Sequence, residues 1–289
     1  MKLLVIGKTG FLGSFLSASR GDESLCVESV GRDVVDLSRP IDARFRQFLE
    51  RGSFHAVAIC AAVTDIERCF QNQHESYQIN VTGTLGVLDI LREMRLKPIY
   101  FSSDYVFEPT PTAHFEEGRR RPETCYGRQK LLVEQYLEMH FENFLIFRTS
   151  KLMSTTAHPK NILWSIIENL NNGVVTPCFQ DQWVNPVFVE DIAKVVKMSV
   201  LRDLQGAYHL GTRNILTRFE IGQRVADMLG YDRDLVKPIR LQDRVFSEKR
   251  PSYHTLHCEK IEKALGYQFK EIVDVRSSLI DLKTGPGRS

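Results

Sequence analysis

The chain has 289 residues, 43% hydrophobic and 26% charged, enough for one large domain or a domain with a small lobe, and too apolar for intrinsic disorder. Its 38 basic and 36 acidic residues leave a formal charge of +2, spread without a polybasic face or tail, which argues against nucleic-acid and membrane-surface partners. No apolar run reaches membrane length, the apolar start before Gly7 is too short for a signal peptide, and the six scattered cysteines lack metal or redox spacing, so reduced thiols in a cytoplasmic protein are expected.

Leu3 to Ile6 is a continuous apolar run closed by glycine, the pattern of a strand buried on both faces, and a helix-period segment follows from Phe11. Between them lies Gly7-Lys8-Thr9-Gly10-Phe11-Leu12-Gly13. With a strand before it and a helix after it, Gly7 permits a tight turn, Gly10 lets the backbone approach a pyrophosphate, and Gly13 lets the helix lie close to the sheet. Thr9, Phe11 and Leu12 complete this cofactor turn, and the helix N-terminus faces the anion. A second strand is expected at Leu25 to Val30. It ends in Gly31-Arg32-Asp33, where Arg32 suits a 2′-phosphate and Asp33 a ribose hydroxyl; NADP(H) is expected, with NAD as the alternative.

A helix over Ile41 to Arg51, a third strand at Ala56 to Cys60, a long helix from Glu75 to Arg95 and a fourth strand at Ile99 to Phe101 come next. Open α/β sheets bind ligands beyond the carboxyl ends of their strands. Ser103, just past the fourth strand, is therefore the hydroxyl expected to hold a reacting oxygen. Pro122 then marks a loop, and a helix from Tyr126 to Phe141 leads to a fifth strand at Phe144 to Phe147. Tyr126 and Lys130 are four apart, hence on one helical face, where an ammonium can stabilise a phenolate. The Arg119-Arg120-Arg121 run reads as a solvated loop or, less simply, a diphosphate clamp.

After Thr149 the rhythm is broken by Pro159, Gly173, Pro177 and Pro186, with helices expected at Val189 to Leu201 and Thr217 to Leu229. The fold expected is α/β, a doubly wound parallel sheet of the Rossmann kind. A dinucleotide-binding domain over 1–150, rejoined by residues from about 174 to 210, would carry a smaller C-terminal substrate lobe within 151–289. Thr284 to Ser289 should fray. His254 and His257 fall in a substrate-lobe loop, and no metal site is expected.

These motifs, with Ala61-Ala62-Val63-Thr64, Leu145 to Ser150, Asp181-Gln182, Tyr208-His209-Leu210 and Lys249-Arg250-Pro251, resemble the extended short-chain dehydrogenase/reductase family, and within it the dTDP-4-dehydrorhamnose reductases. The resemblance implies that Ser103, Tyr126 and Lys130 are catalytic. It implies that Asp36 and Leu37 lie near adenine, and that Ala61, Ala62, Val63 and Ser102 line the cofactor. It sets Thr64, Ile66, Asp104, Tyr105, Lys151, Asn185 and Arg250 around the substrate, and Asn80 behind the site. Two departures concern the substrate: Lys151 stands where the reductases commonly have tryptophan, and Val184-Asn185-Pro186-Val187 replaces Gly-x-Pro-Thr. Phe15 stands where some reductases carry a magnesium-binding glutamate, so a metal-bridged dimer is not expected, while a homodimer of another kind is left open.

The function implied is NADPH-dependent reduction of the 4-keto group of a nucleotide-linked deoxysugar. Two alternatives share these motifs: a non-catalytic NADP-binding regulatory subunit, and a sugar-nucleotide 4-epimerase. Dehydration is disfavoured, because Asp104 is followed by Tyr105 rather than a second carboxylate.

Overall fold

The computed structural model describes residues 1–19 and 24–284. The first elements follow the expected order: β1 (Lys2–Ile6), α1 (Phe11–Ala18), β2 (Cys26–Val30), α2 (Ala43–Gly52) and β3 (Ala56–Ile59). The long helix read over Glu75 to Arg95 does not form as one piece. α3 (Ile66–Gln71), α4 (Gln73–Tyr77) and α5 (Thr84–Glu93) take its place, with Gln78–Gly83 wound as π-helix. This wider turn carries Asn80 into the interior, where its amide binds the backbone of Val63. Such an insertion answers a contact far away in sequence, which apolar periodicity does not report.

β4 (Lys97–Ser103) is longer than expected and buried along its whole length. Pro98 is tolerated because it sits near the strand's start and precedes Ile99, the first residue paired with β5 (Leu145–Thr149). α6 (Cys125–His140) joins the two strands. The remaining elements are β6 (Leu152–Met153), α7 (Ile162–Asn171), β7 (Thr176–Phe179), β8 (Trp183–Val184), β9 (Val187–Phe188), α8 (Val189–Leu201), β10 (Gly206–Leu210), β11 (Leu216–Thr217), α9 (Arg218–Leu229), β12 (Val236–Ile239), β13 (Tyr253–His254), α10 (Glu259–Leu265) and α11 (Arg276–Thr284). α8 has the expected bounds, and α9 begins one residue late because Thr217 is its N-cap, in a capping box with Glu220. α7 was not expected, although its signal is local: Asn161 caps it, and Leu163, Ile166, Ile167 and Leu170 keep helical spacing. Of the residues expected to fray, 285–289 lie outside the described residues.

Six parallel strands form the main sheet in the order β10-β5-β4-β3-β1-β2. Consecutive apolar residues point to opposite faces, so both faces are covered. Leu3, Val5, Ile99 and Phe147 pack with α1, α8 and α10, while Leu4, Ile6, Val57 and Ile146 pack with α2, α5 and α6. A third core joins α7, α9 and α11 to β7, β8 and β12 through residues such as Ile167, Val184, Val225 and Leu279. Strand order reverses between β1 and β3, which opens a crevice at their carboxyl ends.

The buried charges of α6 and β5 are paired. Arg148, 1% exposed, donates from Nε and Nη2 to the Glu134 carboxylate at 3.0 and 2.9 Å, and Glu134 is 0% exposed. Arg148 Nη1 donates to the Glu116 carbonyl at 2.8 Å. Arg120 approaches the same carboxylate at 2.9 Å and also binds Glu138 at 2.7 Å. Arg120 is thus spent on α6, and Arg119 and Arg121 are exposed, so the diphosphate-clamp reading of this run does not hold. Removing one member of a buried ion pair leaves a charge without compensation, at a cost of about 3–5 kcal/mol. Arg148→Met is expected to lower the urea unfolding free energy by about that amount; a loss below about 1 kcal/mol would refute a structural role for the cluster.

Candidate active site

The crevice begins at the glycine turn. Gly7 has φ +99°, and a Cβ there would stand 2.7 Å from the Ala61 nitrogen; a Cβ on Gly13 would stand 2.1 Å from the Gly7 carbonyl oxygen. Only glycine lets α1 start this close to the strand ends. The Gly7 and Lys8 amides donate to the Val30 carbonyl at 2.9 and 3.1 Å, which locks the turn against β2. Gly10 is the N-cap of α1 and has no side-chain cap, so the first helical amides face the crevice without protein acceptors. Thr9 is exposed at the tip, Leu12 is buried, and the buried Phe11 ring stacks on His158 at 4.5 Å.

At the end of β2, Asp33 faces Lys8 at 3.6 Å, while Arg32 is exposed and makes no hydrogen bond or ion pair among the described residues. Asp36 accepts from the Ser38 amide at 3.0 Å and the Ser38 hydroxyl at 2.8 Å, which holds its carboxyl below the usual range. Leu37 beside it is buried. Ala61 and Ala62, half-buried after β3, form the floor, and Val63 anchors it. The Val63 amide donates to Asn80 Oδ1 at 2.8 Å, and Asn80 Nδ2 donates to the Val63 carbonyl at 2.9 Å and to Gln129 Oε1 at 2.8 Å. Gln129 in turn donates to the Ser76 hydroxyl at 2.9 Å.

Gln129 lies on α6 between Tyr126 and Lys130. The start of α6 is capped twice, by the Thr124 hydroxyl accepting from Gly127 N at 3.1 Å and by Glu248 accepting from Cys125 N at 2.7 Å. A Cβ on Gly127 would stand 2.2 Å from the Tyr105 carbonyl oxygen. Glycine therefore allows α6 to press against the turn that follows β4. The Tyr105 and Tyr126 rings meet edge-on at 5.9 Å, and the nearby Ser103 hydroxyl acts to lower the phenol's pKa. Burial outweighs that effect and, with the Asp104 charge, holds Tyr126 as a neutral phenol. Lys130 donates to the Phe101 carbonyl at 2.8 Å, and its ammonium lies 4.6 Å from the Tyr100 ring and 5.8 Å from the Tyr126 ring. Burial pushes Lys130 down to about 8. The three catalytic candidates thus share one pocket.

Ser103 also donates to Asp104 Oδ1 at 2.7 Å, and Asp104 Oδ2 faces His254 Nδ1 at 3.9 Å. Burial raises Asp104 to about 6 and lowers His254 to about 3. Tyr105 stacks on His254 at 3.8 Å. Arg250 donates to Glu67 at 2.9 Å and lies 5.1 Å over the Phe246 ring. Lys151 follows β5, and burial, then Arg218 and Arg250, lowers it to about 7. Three expected substrate residues differ in how they are used. Thr64 is exposed beyond the floor, and Ile66 is buried in the apolar core as the first residue of α3. Asn185 is 1% exposed and spends its amide on loop backbone, donating to Thr212 O at 3.0 Å and accepting from Leu256 N at 2.7 Å.

Sequence reading missed Arg218, Glu67 and Glu248 and took His254 only as part of a substrate-lobe loop; other chain segments bring all four together here. Only Arg218 carries a local signal, at the first helical position after the Thr217-x-x-Glu220 capping box. Among the described residues, Ser102 Oγ is buried without a hydrogen-bond partner, an orphan that a bound group at the end of β4 can satisfy. With the glycine cradle, it fits a dinucleotide laid across the strand ends.

The sequence profile of the family described as RmlD substrate binding domain matches residues 1–281. A dTDP-4-dehydrorhamnose reductase from Sinorhizobium fredii is 25% identical over 281 residues, covering 92% of each chain. The methionine adenosyltransferase 2 subunit beta of Xenopus tropicalis is 24% identical over 302 residues, covering 96% of this chain and 87% of the relative. A crystal structure of dTDP-4-dehydrorhamnose reductase from Bacillus anthracis in complex with NADP superposes with a TM-score of 0.86 at 21% identity, covering 96% of each chain.

Two lysines with lowered pKa give the ligand-free protein a distinct pH dependence. In the unfolded chain both keep protons up to about 10.5, whereas the folded chain releases them near 7 and 8. The unfolded state then holds more protons, so stability rises as pH increases from 7 towards 10. Lys130→Met is expected to flatten the upper part of that rise, between pH 8 and 10, in urea titrations. An unchanged slope would contradict burial of the ammonium.

Proposed function

Because the chain belongs to the family of the RmlD substrate-binding domain, matched over residues 1–281, we propose that it is a sugar-nucleotide reductase that uses NADPH to reduce the 4-keto group of a nucleotide-diphosphate deoxysugar. The observation that carries this reading is the meeting of Ser103, Tyr126 and Lys130 beside the glycine-lined crevice. The names of relatives such as the Sinorhizobium fredii reductase supply the substrate class.

In this reading Gly7, Gly10 and Gly13 receive the pyrophosphate on the first amides of α1, Asp36 and Leu37 border the adenine, and Ala61 to Val63 support the nicotinamide. Asp33 is partly neutralised by Lys8, and the free Arg32 guanidinium faces the 2′-phosphate, which favours NADPH over NADH. Bound NADPH supplies the hydride. Tyr126, kept protonated by burial, passes its proton to the oxygen of the former carbonyl. Ser103 donates a hydrogen bond to that oxygen, and Lys130 offsets the charge left on the phenolate. Asp104 and Tyr105 border the sugar, and Arg250 faces the diphosphate.

Tyr126→Phe is expected to lower kcat about 10²- to 10⁴-fold, followed as loss of nicotinamide absorbance with a dTDP-4-keto-6-deoxysugar, while NADP affinity stays within about twofold. Wild-type protein that binds NADP yet oxidises no NADPH on any keto-sugar would overturn the reductase reading. It would favour a regulatory role, which similarity to the methionine adenosyltransferase subunit supports. A charge-assisted hydrogen bond is worth about 1.5–3 kcal/mol. Arg32→Ala should therefore raise KM for NADPH by roughly 10- to 100-fold and leave KM for NADH nearly unchanged; equal effects on both coenzymes would remove the 2′-phosphate contact.

A further inference from the structure

Ser103 has a single hydroxyl proton, and the ligand-free site already engages it. Its Oγ lies 2.7 Å from Asp104 Oδ1 and accepts from the Tyr105 amide at 3.3 Å. An ionised carboxylate can only accept, so in the 2.7 Å contact the proton is the serine's and points at Asp104. A serine held this way has no hydrogen left for the oxygen of a reacting carbonyl. Protonation of Asp104 reverses the bond: the acid then donates to Oγ, and the serine hydrogen is free to turn to the carbonyl. The backbone fixes both residues for this exchange, since Ser103 ends β4 and caps the tight turn Asp104–Val106, and each is 6% exposed.

The elements packed around Asp104 leave its charge poorly compensated. β13 supplies His254, whose Nδ1 lies 3.9 Å from Asp104 Oδ2 and whose Nε2 is buried without a partner. Burial lowers that imidazole to about 3, so it stands there uncharged. The loop after β5 supplies Ser150 and Lys151, which favour the ionised acid. Arg218 of α9 and Arg250 add to burial in lowering both His254 and Lys151, the two groups that would otherwise be cations at neutral pH. The Tyr105 amide also favours the carboxylate, yet burial outweighs all of these and lifts Asp104 to about 6. From α6, Tyr126 feels the same charge, which holds the phenol's proton more tightly.

We propose that Asp104 positions the Ser103 hydrogen for the reaction and does so only as the neutral acid, so that the keto-sugar is reduced by protein in which Asp104 is protonated. The inference rests on the reductase reading above and deepens it. Protonation frees the one donor that Ser103 can offer to the developing alkoxide. It also removes a buried negative charge that opposes both that alkoxide and the release of the Tyr126 proton.

The test is kcat from about pH 5.5 to 7.5, with NADPH and a dTDP-4-keto-6-deoxysugar both saturating. Loss of a hydrogen bond to a charged oxygen should lower wild-type kcat roughly tenfold across this range. In Asp104→Asn, whose amide can donate to Ser103 Oγ at every pH, the ratio of kcat at the two ends should come close to one. In Lys151→Gln the fall should persist and move to higher pH, because a cation that favours the ionised acid is gone. A fall that persists in Asp104→Asn, or disappears in Lys151→Gln, would assign the titration to another group and overturn the proposal. So would a wild-type kcat that stays level or rises over the range, without any variant having to fold and with the reductase reading left standing. If no NADPH is oxidised at any pH, that reading itself has failed and this inference falls with it.

Discussion

The side-chain amide of Asn80 joins the two walls of the crevice. One wall is the loop after β3, whose Val63 backbone it clamps from both sides, and the other is α6, reached through Gln129. Asn80 is 1% exposed, so these bonds form where water does not compete, and losing one would strand a buried polar group. Gln129 stands one residue before Lys130 and three after Tyr126, so the distance from the loop after β3 to α6 is set by this network. The π-helical turn at Gln78–Gly83 is the backbone irregularity that puts the amide there.

The same exclusion of water sets the protonation of the site. Burial raises the Tyr126 phenol and Asp104, and lowers Lys130, Lys151 and His254. Each shift favours the neutral form. A proton donor, a cation close to neutrality and a hydroxyl thus lie in a pocket where added charge is felt strongly. The 247–250 segment contributes by closing over it: Ser247 and Arg250 bind Glu67 on α3, while Glu248 caps α6. That segment therefore touches both α3 and the helix that carries Tyr126.

In the proposed function, reaction and specificity are built from different parts of the molecule. The groups proposed for proton transfer come from β4 and α6, in the doubly wound half, and their geometry depends on sheet register and one close glycine contact. The groups proposed to meet the substrate come from the turn after β4, from the loop after β5 and from the 244–251 segment. Of the departures from the reductase pattern, Lys151 falls on this second set, whereas Val184 to Val187 run from β8 to β9. Asn185 exemplifies the change, since its buried amide braces two loops that carry neighbouring pocket residues.

The glycine turn, the Tyr126–Lys130 pair, the alternation of strands and helices and the extent of α8 were legible in the sequence. Each depends on neighbours within a few residues: a positive φ, a four-residue helical spacing, an apolar run of strand length, an apolar helical period. The tertiary structure alone decided that the helix before β4 breaks around Asn80, that Arg120 serves a buried carboxylate, that Ile66 joins the core, and that Arg218, Glu248 and His254 reach the pocket. Those outcomes come from hydrogen bonds, ion pairs and packing between groups as much as 150 residues apart, as in Asp104 and His254. Local spacing holds no record of such encounters, because they exist only once the sheet has brought the strand ends together.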